Sequence, residues 1–286
     1  MGRHRSVYAG AKMAYTKLIP HASPGARVEE IQRGSAYRLF IPSGTAEKYR
    51  FAQLDDYAQT SRRRFRHRFP LRVSLLARTS SESIAGTWGF GLWNDPFGLS
   101  LGFGGNPFRL PALPNAVWFF GASKENYLSF GGLDTASPTR PPVNGFMAQT
   151  FRSPKFHPLL IPAGIAFPFS RKATRRFLGA IIEEDEIDLS RGDPSGSAQD
   201  LDESWRVVPS VWHKYSLTWE EKRVSFEVDN NQVFESSVIP NPPLGLVIWI
   251  DNQYAAFSPD GKIAMGVLEN AEAWLEIKDL EVSSSL

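Results

Sequence analysis

WHKYSLTWEEKRVSFEVDNNQVFES, residues 212–236, carries the clearest strand pattern in this chain of 286 residues. Apolar side chains recur at alternate positions, first over Tyr215–Trp219 and then in VSFEV and QVFES. This period of two is typical of strands that bury one face. The polar turn Asp229–Asn231 separates the last two runs and joins them into a hairpin. The stretch therefore predicts a strand followed by a β-hairpin.

The same alternation recurs elsewhere in the chain. GTWGFGLWND, residues 86–95, places Trp88, Phe90 and Leu92 on one face and its glycines on the other. AWLEIKDLEV, residues 273–282, alternates until its end, where the apolar pattern fails, and this predicts an edge strand. Many short strands between Gly, Pro and Asn turns predict an all-β fold, an antiparallel β-sandwich of the jelly-roll type.

Two regions depart from this pattern. Residues 170–190, SRKATRRFLGAIIEEDEIDLS, have apolar side chains at helical spacing and predict a helix inside an insertion at about residues 155–205. Residues 1–35 have no clear period and are expected to form an N-terminal arm, which leaves residues 36–286 as one sandwich domain. The apolar part of the insertion, residues 158–182, is a candidate contact for a protein partner or a second copy.

Composition and charge exclude several classes of site. The chain has no cysteine, so disulfides, thiolate metal sites and cysteine nucleophiles are excluded. Lys and Arg number 32 against 30 Asp and Glu, and this balance gives no electrostatic reason to expect nucleic acid as a partner. No apolar run has the form of a signal peptide or the length of a transmembrane segment, so a soluble cytoplasmic protein is expected.

The opening stretch resembles the concanavalin A-like lectin/glucanase superfamily, and most closely its family-16 glycoside hydrolases. Those proteins carry a strand with the pattern His-x-Tyr-x-x-x-Trp and then a hairpin of the type I-x-F-x-V-D-G. The matching positions here are His213, Tyr215, Trp219, Val224, Phe226, Val228 and Asp229. Residues 273–282 are similar to the family's last strand, and the resemblance spans roughly residues 70–282. It implies a jelly roll with one concave sheet.

The resemblance also locates a catalytic strand. Hydrolases of that family carry a nucleophile and a general acid in the pattern E-x-D-x-x-E, and the resemblance places this strand at residues 116–123, AVWFFGAS, which contain no acid. Glu184, Glu186 and Asp188 have suitable types at alternate positions, but they continue the predicted helix. They are either a solvated helix end or catalytic carboxylates. The resemblance therefore implies a carbohydrate-binding domain, with a diverged family-16-like hydrolase or an interaction module as alternatives.

Tryptophans beside polar side chains are candidates for sugar binding. A pyranose packs its C–H face on an aromatic ring, and polar neighbours bind its hydroxyls. The residues that fit this pattern are Trp93, Asn94, Asp95, Trp118, Trp249, Asp251 and Asn252. They are expected to bind an oligo- or polysaccharide, or a small ligand with apolar and polar parts, in the concave cleft. In the alternative interpretation, the same rings fill the interface between two sheets.

One basic cluster stands out, SRRRFRHRF at residues 61–69. It is a candidate surface for phosphates or anionic lipid. In the alternative interpretation, Phe65 and Phe69 point inward and the arginines form a solvated face. Asp55 and Asp56 lie close enough in sequence to balance the charge.

Metal ligands are sparse in the sequence. None of the five histidines forms a metal-ligand pair at short spacing. Members of the resembled family carry calcium near the last strand, and Asp279 is the one residue here that matches a ligand. A structural calcium ion is therefore the only cofactor that the resemblance implies.

Overall fold

Two antiparallel sheets contain most of the strands. The computed structural model describes residues 17–96, 112–128, 145–154, 181–190, 206–257 and 263–284. Within these residues a 3-10 helical turn spans Arg62–Arg64. The strands described are β1 (Ile19–Ala22), β2 (Arg27–Gln32), β3 (Ala36–Ile41), β4 (Phe51–Asp55), β5 (Leu71–Thr79), β6 (Thr87–Trp93), β7 (Ala116–Ala122), β8 (Tyr127–Leu128), β9 (Gly145–Arg152), β10 (Glu183–Asp188), β11 (His213–Trp219), β12 (Val224–Val228), β13 (Asn231–Ser236), β14 (Gly245–Asp251), β15 (Gln253–Phe257), β16 (Ile263–Val267) and β17 (Ala273–Ser283).

The two large sheets have seven strands each. The front sheet has the order β1-β4-β14-β6-β7-β9-β10, and the back sheet has the order β13-β12-β11-β5-β17-β3-β2. A small third sheet has the order β16-β15-β8. Because the front and back sheets are antiparallel throughout and share one apolar interior, the predicted all-β jelly-roll sandwich is confirmed. No helix in the described part of the chain has the length and apolarity needed to cross a membrane.

Apolar side chains of both sheets meet in this interior. Trp88, Phe90 and Leu92 of β6 all point into it, as the alternation predicted. From the back sheet, the ring of Tyr215 lies 5.1 Å from that of Phe90, and Trp219 is fully buried. Burial of a large apolar side chain stabilises the fold by about 1.5–3 kcal/mol, so this interior is the main force that holds the sheets together.

Residues 212–236 form β11, β12 and β13, as predicted. β11 pairs with β12 and β12 with β13, both antiparallel. At the turn, Asp229 and Asn230 have φ angles of 52° and 66°. Asp and Asn adopt this left-handed region more readily than other residues with side chains, which explains their place in the hairpin turn.

Residues 183–188 correct the predicted helix. They form β10, which pairs antiparallel with β9 at the edge of the front sheet. Ile187 is buried between the sheets, so the segment follows a period of two that the helical interpretation overlooked. Most of the predicted insertion, residues 155–180 and 191–205, lies outside the described residues.

The predicted edge position of β17 was wrong, since β17 lies between β5 and β3. Its polar side chains face away from the interior, where they have partners on both neighbouring strands. Glu276 is 3% exposed and accepts hydrogen bonds from Nε of Arg38 at 2.8 Å and from Nε of Arg78 at 2.7 Å. Two charge-assisted hydrogen bonds compensate the carboxylate, so an acidic residue fits a central strand.

Part of the predicted N-terminal arm belongs to the sandwich. Residues 19–22 form β1, which pairs with β4 at one edge of the front sheet. Residues 27–32 form β2, which pairs with β3 at one edge of the back sheet. Residues 1–16 lie outside the described residues.

Candidate functional site

The candidate site lies on the outer face of the front sheet, which is the face turned away from the back sheet. The register between strands determines which residues meet there. Trp249 of β14 pairs with Gly89 of β6, and Gly91 of β6 pairs with Trp118 of β7. Trp93 stands at the end of β6 on the same face. Three tryptophans that are far apart in the sequence therefore meet at the centre of the sheet.

Trp93, Trp118 and Trp249 form what we call the tryptophan cluster. The ring centroids of Trp93 and Trp249 lie 6.2 Å apart with their planes 3° from parallel, and both rings lie within 6 Å of Trp118, at 5.9 Å and 5.4 Å. Trp118 is buried, as are Phe120 and Phe151 on the same face. Trp93 and Trp249 are partly exposed. The aromatic surface that a ligand can reach is therefore that of these two rings.

Glycines in β6 make room for the cluster. A Cβ atom at Gly89 would lie 2.7 Å from Cη2 of Trp249, and a Cβ atom at Gly91 would lie 2.6 Å from the Cα atom of Trp118. Gly91 also has a φ angle of 155°. Gly89 and Gly91 thus leave the middle of the outer face of β6 without side chains, so that indole rings from β14 and β7 lie against its backbone.

Each indole N–H of the cluster donates a hydrogen bond inside the protein. Nε1 of Trp93 donates to the hydroxyl of Tyr57 at 2.6 Å, and Nε1 of Trp249 donates to the hydroxyl of Thr87 at 3.0 Å. Nε1 of Trp118 donates to Oε1 of Gln149 at 3.0 Å. These bonds hold the orientation of all three rings.

A polar strip from β4 flanks the cluster, and the sequence interpretation missed it. Gln53 pairs with Trp249 in the sheet, is partly exposed, and donates through Nε2 to Oδ2 of Asp55 at 2.8 Å. Asp55 is fully buried and also accepts from the backbone N–H of Tyr57 at 3.0 Å. The alternation of Gln53 and Asp55 with the interior residues of β4 was the signal that could have placed them on this face.

Asn94 and Asp95 lie at the end of β6 beside Trp93. The Asn94 side chain donates to the carbonyl of Leu113 at 2.8 Å and accepts from the backbone N–H of Asn115 at 3.0 Å. Asp95 is 7% exposed with a φ angle of 48°. These contacts join the chain after β6 to the chain before β7, so Asn94 has a structural role in this turn.

Asp251 and Asn252 lie at the opposite end of the face from Trp93. Oδ1 of Asp251 accepts from the hydroxyl of Thr87 at 2.9 Å, and Oδ2 accepts from the hydroxyl of Tyr49 at 3.3 Å. Burial raises the pKa of Asp251 to about 6, although these hydrogen bonds favour the ionised form. Asn252 is fully buried, and its amide donates to the carbonyl of Leu268 at 2.8 Å.

Glu184, Glu186 and Asp188 share the outer face of β10. Successive members are two residues apart, which corresponds to about 7 Å along a strand. Nε2 of Gln149 donates to Oε2 of Glu186 at 2.6 Å, so Gln149 links Glu186 to Trp118. The three acids therefore belong to the same face as the tryptophan cluster. Gln149 was missed in the sequence, where a lone amide within the apolar strand GFMAQTF was the available signal.

Asp279 does not fit the calcium site that the resemblance implied. It is exposed, on a bulge of β17 in the back sheet with a φ angle of 54°. Calcium takes about six to eight oxygen ligands, and one exposed carboxylate does not supply them. Nowhere in the described ranges do three or more acidic or histidine side chains gather in an arrangement that would hold a metal ion.

Comparison with known proteins finds similarity in structure and not in sequence. No protein-family model and no curated protein matches this chain. A family-16 glycoside hydrolase endo-glucanase from Bacteroides ovatus is 11% identical with a TM-score of 0.47, covering 93% of each chain. The carbohydrate recognition domain of Emp47p is 12% identical with a TM-score of 0.44, covering 94% of this chain and 89% of that one.

A third similar structure is an endo-β-1,4-glucuronan lyase from Trichoderma reesei. It is 10% identical with a TM-score of 0.45, covering 98% of this chain and 92% of that one. The glucanases and lectins named by the sequence resemblance are thus found again among similar solved structures. Similarity at this level concerns the fold and carries no information about activity.

Proposed function

We propose that this chain binds a saccharide on the outer face of the front sheet, against the exposed surfaces of Trp93 and Trp249. The observation that carries the proposal is the tryptophan cluster, because two partly exposed and nearly parallel indoles lie at the centre of a sheet. The C–H face of a pyranose packs on such rings. The partly exposed amide of Gln53, directly across from Trp249, is a candidate partner for sugar hydroxyls.

Replacing Trp93 and Trp249 by alanine together tests this proposal. We expect affinity for the bound saccharide to fall by about 100-fold, since aromatic anchors at the centre of a binding surface commonly contribute 2 kcal/mol or more. A glycan array identifies saccharides that the wild-type chain binds, and calorimetry then measures the affinity of each variant for the best of them.

The matched control is Trp212→Ala. Trp212 is also partly exposed, but it lies beside the back sheet, where it contacts the charged groups of Arg78 and Lys278. Its replacement should leave saccharide affinity unchanged. The proposal is wrong if no glycan binds the wild-type chain, or if the double tryptophan variant binds as tightly as the Trp212 variant.

A second candidate function is hydrolysis of a glycosidic bond by the acids of β10. The observation that favours it is the shared face of Glu184, Glu186 and Asp188, because a retaining hydrolase needs two carboxyl groups that face the same cleft. The hydrogen bond from Gln149 would hold Glu186 in place for this role.

A hydrolysis screen on β-glucans distinguishes this candidate from binding alone. If the acids are catalytic, the wild-type chain releases new reducing ends, and Glu184→Gln or Glu186→Gln lowers the rate by at least about a thousandfold. Asp185→Asn is the control, since Asp185 lies on the opposite face of β10, where it accepts a hydrogen bond from Ser236. Binding without product release by the wild-type chain would exclude hydrolysis of those glucans.

A further inference from the structure

Residues 61–69, which we call the arginine loop, expose a group of cations between β4 and β5. Arg63, Arg64, Arg66 and Arg68 are all exposed. Within the described part of the chain, no hydrogen bond or ion pair joins any of these four guanidinium groups to another residue. Four like charges within six residues repel one another, so the loop presents a strong local positive potential in a chain whose net charge is only +2.

The acids that neighbour this loop in sequence form no ion pair with its exposed arginines. Asp55 and Asp56 are both buried, and their oxygens bind other groups. Asp55 accepts from Gln53 and from the backbone at Tyr57. The Asp56 carboxylate lies 2.6 Å from Nε2 of His67 and accepts the backbone N–H of Leu246 at 2.9 Å. The expected balance of charge is therefore not made by direct contact, since the ion-pair partners of Asp55 and Asp56 are His21 and His67.

The loop is held in place on the outer face of the front sheet. Phe65 is 1% exposed, and its ring lies 4.8 Å from the ring of Tyr57. Backbone hydrogen bonds of 3.0 and 3.1 Å join His67 to Leu244. Nε of Arg62 donates to the carbonyl of Asn94 at 2.7 Å, directly after Trp93. The exposed arginines are thus presented on a fixed backbone.

The arginine loop is also adjacent to the tryptophan cluster. Tyr57 contacts the ring of Phe65 and accepts the indole N–H of Trp93. Phe65, Tyr57 and Val247 form one apolar cluster, against which Trp93 and Trp249 pack. A single layer of aromatic rings therefore separates the backbone of the arginine loop from the proposed saccharide site.

A cavity beside the arginine loop is lined by a fifth cationic residue, Lys17. It has a volume of about 220 Å³, and its lining includes Lys17, Arg66, Gln59 and Thr60. Asp56 also lines it, with its oxygens occupied as described above. Two cations and an amide suit the carboxylate or sulfate group of an acidic sugar. The Thr60 hydroxyl is already engaged, since it donates to the carbonyl of Tyr57 at 2.9 Å.

We propose that the arginine loop and Lys17 bind the acidic groups of an anionic polysaccharide, carboxylated or sulfated, whose chain continues across Trp93 and Trp249. This inference rests on the proposed function and specifies its ligand class. A single exposed ion pair contributes little in water, but an anionic polymer engages several arginines at once. The geometry thus favours a repeating anion over an isolated one.

The test replaces Arg63, Arg64 and Arg66 together by glutamine in the full chain. The probes are polygalacturonate for carboxylate groups, heparin for sulfate groups, and a neutral β-glucan. At low ionic strength we expect the wild-type chain to bind at least one of the two polyanions. The arginine variant should bind it about tenfold more weakly, and added salt should reduce the difference.

The control variant removes the same charge from distant turns. It carries Arg33→Gln, Lys124→Gln and Lys222→Gln, which are exposed positions after β2, β7 and β11. We expect its affinity for the polyanions to match that of the wild-type chain. An equal loss in both variants would overturn the inference, because general charge and not the loop would then govern binding.

Further binding measurements distinguish an anionic polysaccharide from other anionic ligands, and distinguish failure of this inference from failure of the proposed function. A single-stranded oligonucleotide or phosphatidylserine vesicles that bind as tightly, with the same dependence on the arginines, would overturn the assignment to a saccharide. If the neutral glucan binds through the tryptophans while neither polyanion binds, this inference fails and the proposed function stands. If polyanions need the arginines but tolerate loss of Trp93 and Trp249, the proposed saccharide site fails, and the inference that the polysaccharide continues across the two tryptophans is overturned with it.

Discussion

Replacing Gly91 by alanine is expected to lower the free energy of unfolding by about 4 kcal/mol. The added Cβ atom would lie 2.4 Å from the carbonyl oxygen of Val117 and 2.6 Å from the Cα atom of Trp118. Both are backbone atoms of β7, so no side-chain rotation relieves the contact. Alanine also adopts the φ angle of 155° at this position less readily than glycine. Denaturant unfolding followed by far-UV circular dichroism measures the loss.

Gly34→Ala is the matched control. Gly34 lies in the turn between β2 and β3 with a φ angle of 72°, and a Cβ atom there would meet nothing within 4 Å. Its replacement should therefore cost about 1 kcal/mol, which is the backbone strain alone. A loss at Gly91 no larger than that at Gly34 would contradict the close approach of β6 and β7 that allows Trp118 to join the cluster.

The second large effect concerns pH. Burial raises the pKa of Asp251 to about 6 in the folded chain, from an ordinary value of 3.8. Below about pH 3 the carboxyl group is protonated in both states and carries no penalty. As the pH rises to about 7 the unfolded chain ionises first, and folding loses about 3 kcal/mol. Asp251→Asn removes this loss, so its stability relative to wild type should increase by that amount between about pH 3 and pH 7.

The measurement is a series of denaturant unfolding curves across this pH range for both proteins. The difference between the two proteins isolates Asp251 from every other titrating group. Asp279→Asn removes one negative charge at an exposed position and controls for the change in net charge. A difference between wild type and Asp251→Asn that stays constant with pH would show that burial does not disfavour the ionised carboxylate.

The strands with a regular period of two could be predicted from sequence. In β6, the alternation placed Trp88, Phe90 and Leu92 in the interior, and they lie there because a strand turns successive side chains to opposite faces. The hairpin after β11 could likewise be predicted, since its turn needs residues that tolerate positive φ. Both features depend on local chemistry, which the sequence shows directly.

β10 and β17 could not be predicted in the same way, because their states depend on partners far away in the chain. Residues 183–188 include three glutamates, which are good helix formers, and pairing with β9 is what makes the segment a strand. In β17, the apolar alternation that fails at its end suggested an edge strand, but β17 pairs with β3 and with β5. Arg38 and Arg78 on these two neighbouring strands neutralise Glu276. No local pattern reveals such pairs.

In the candidate site too, some features could be predicted from the sequence and others depend on tertiary contacts. The sequence singled out Trp93, Trp118 and Trp249, and the register of β6, β7 and β14 brings them together. It also singled out Asn94 and Asn252 for their residue type, yet both amides bind backbone carbonyls of other segments. Residue type indicates what a side chain is able to bind, and tertiary contacts determine whether it is already engaged.

The internal hydrogen bonds of the three indole N–H groups have a consequence for selectivity. Rings that are already fixed lose little conformational entropy when a ligand arrives, which favours affinity. Because the three N–H groups already donate to Tyr57, Thr87 and Gln149, they have no hydrogen bond left to donate to a sugar hydroxyl. In the proposed site the indoles would therefore contact the apolar face of a sugar without hydrogen-bonding to its hydroxyls, and discrimination between hydroxyl positions would fall to the amides and charged groups at the margin of the cluster.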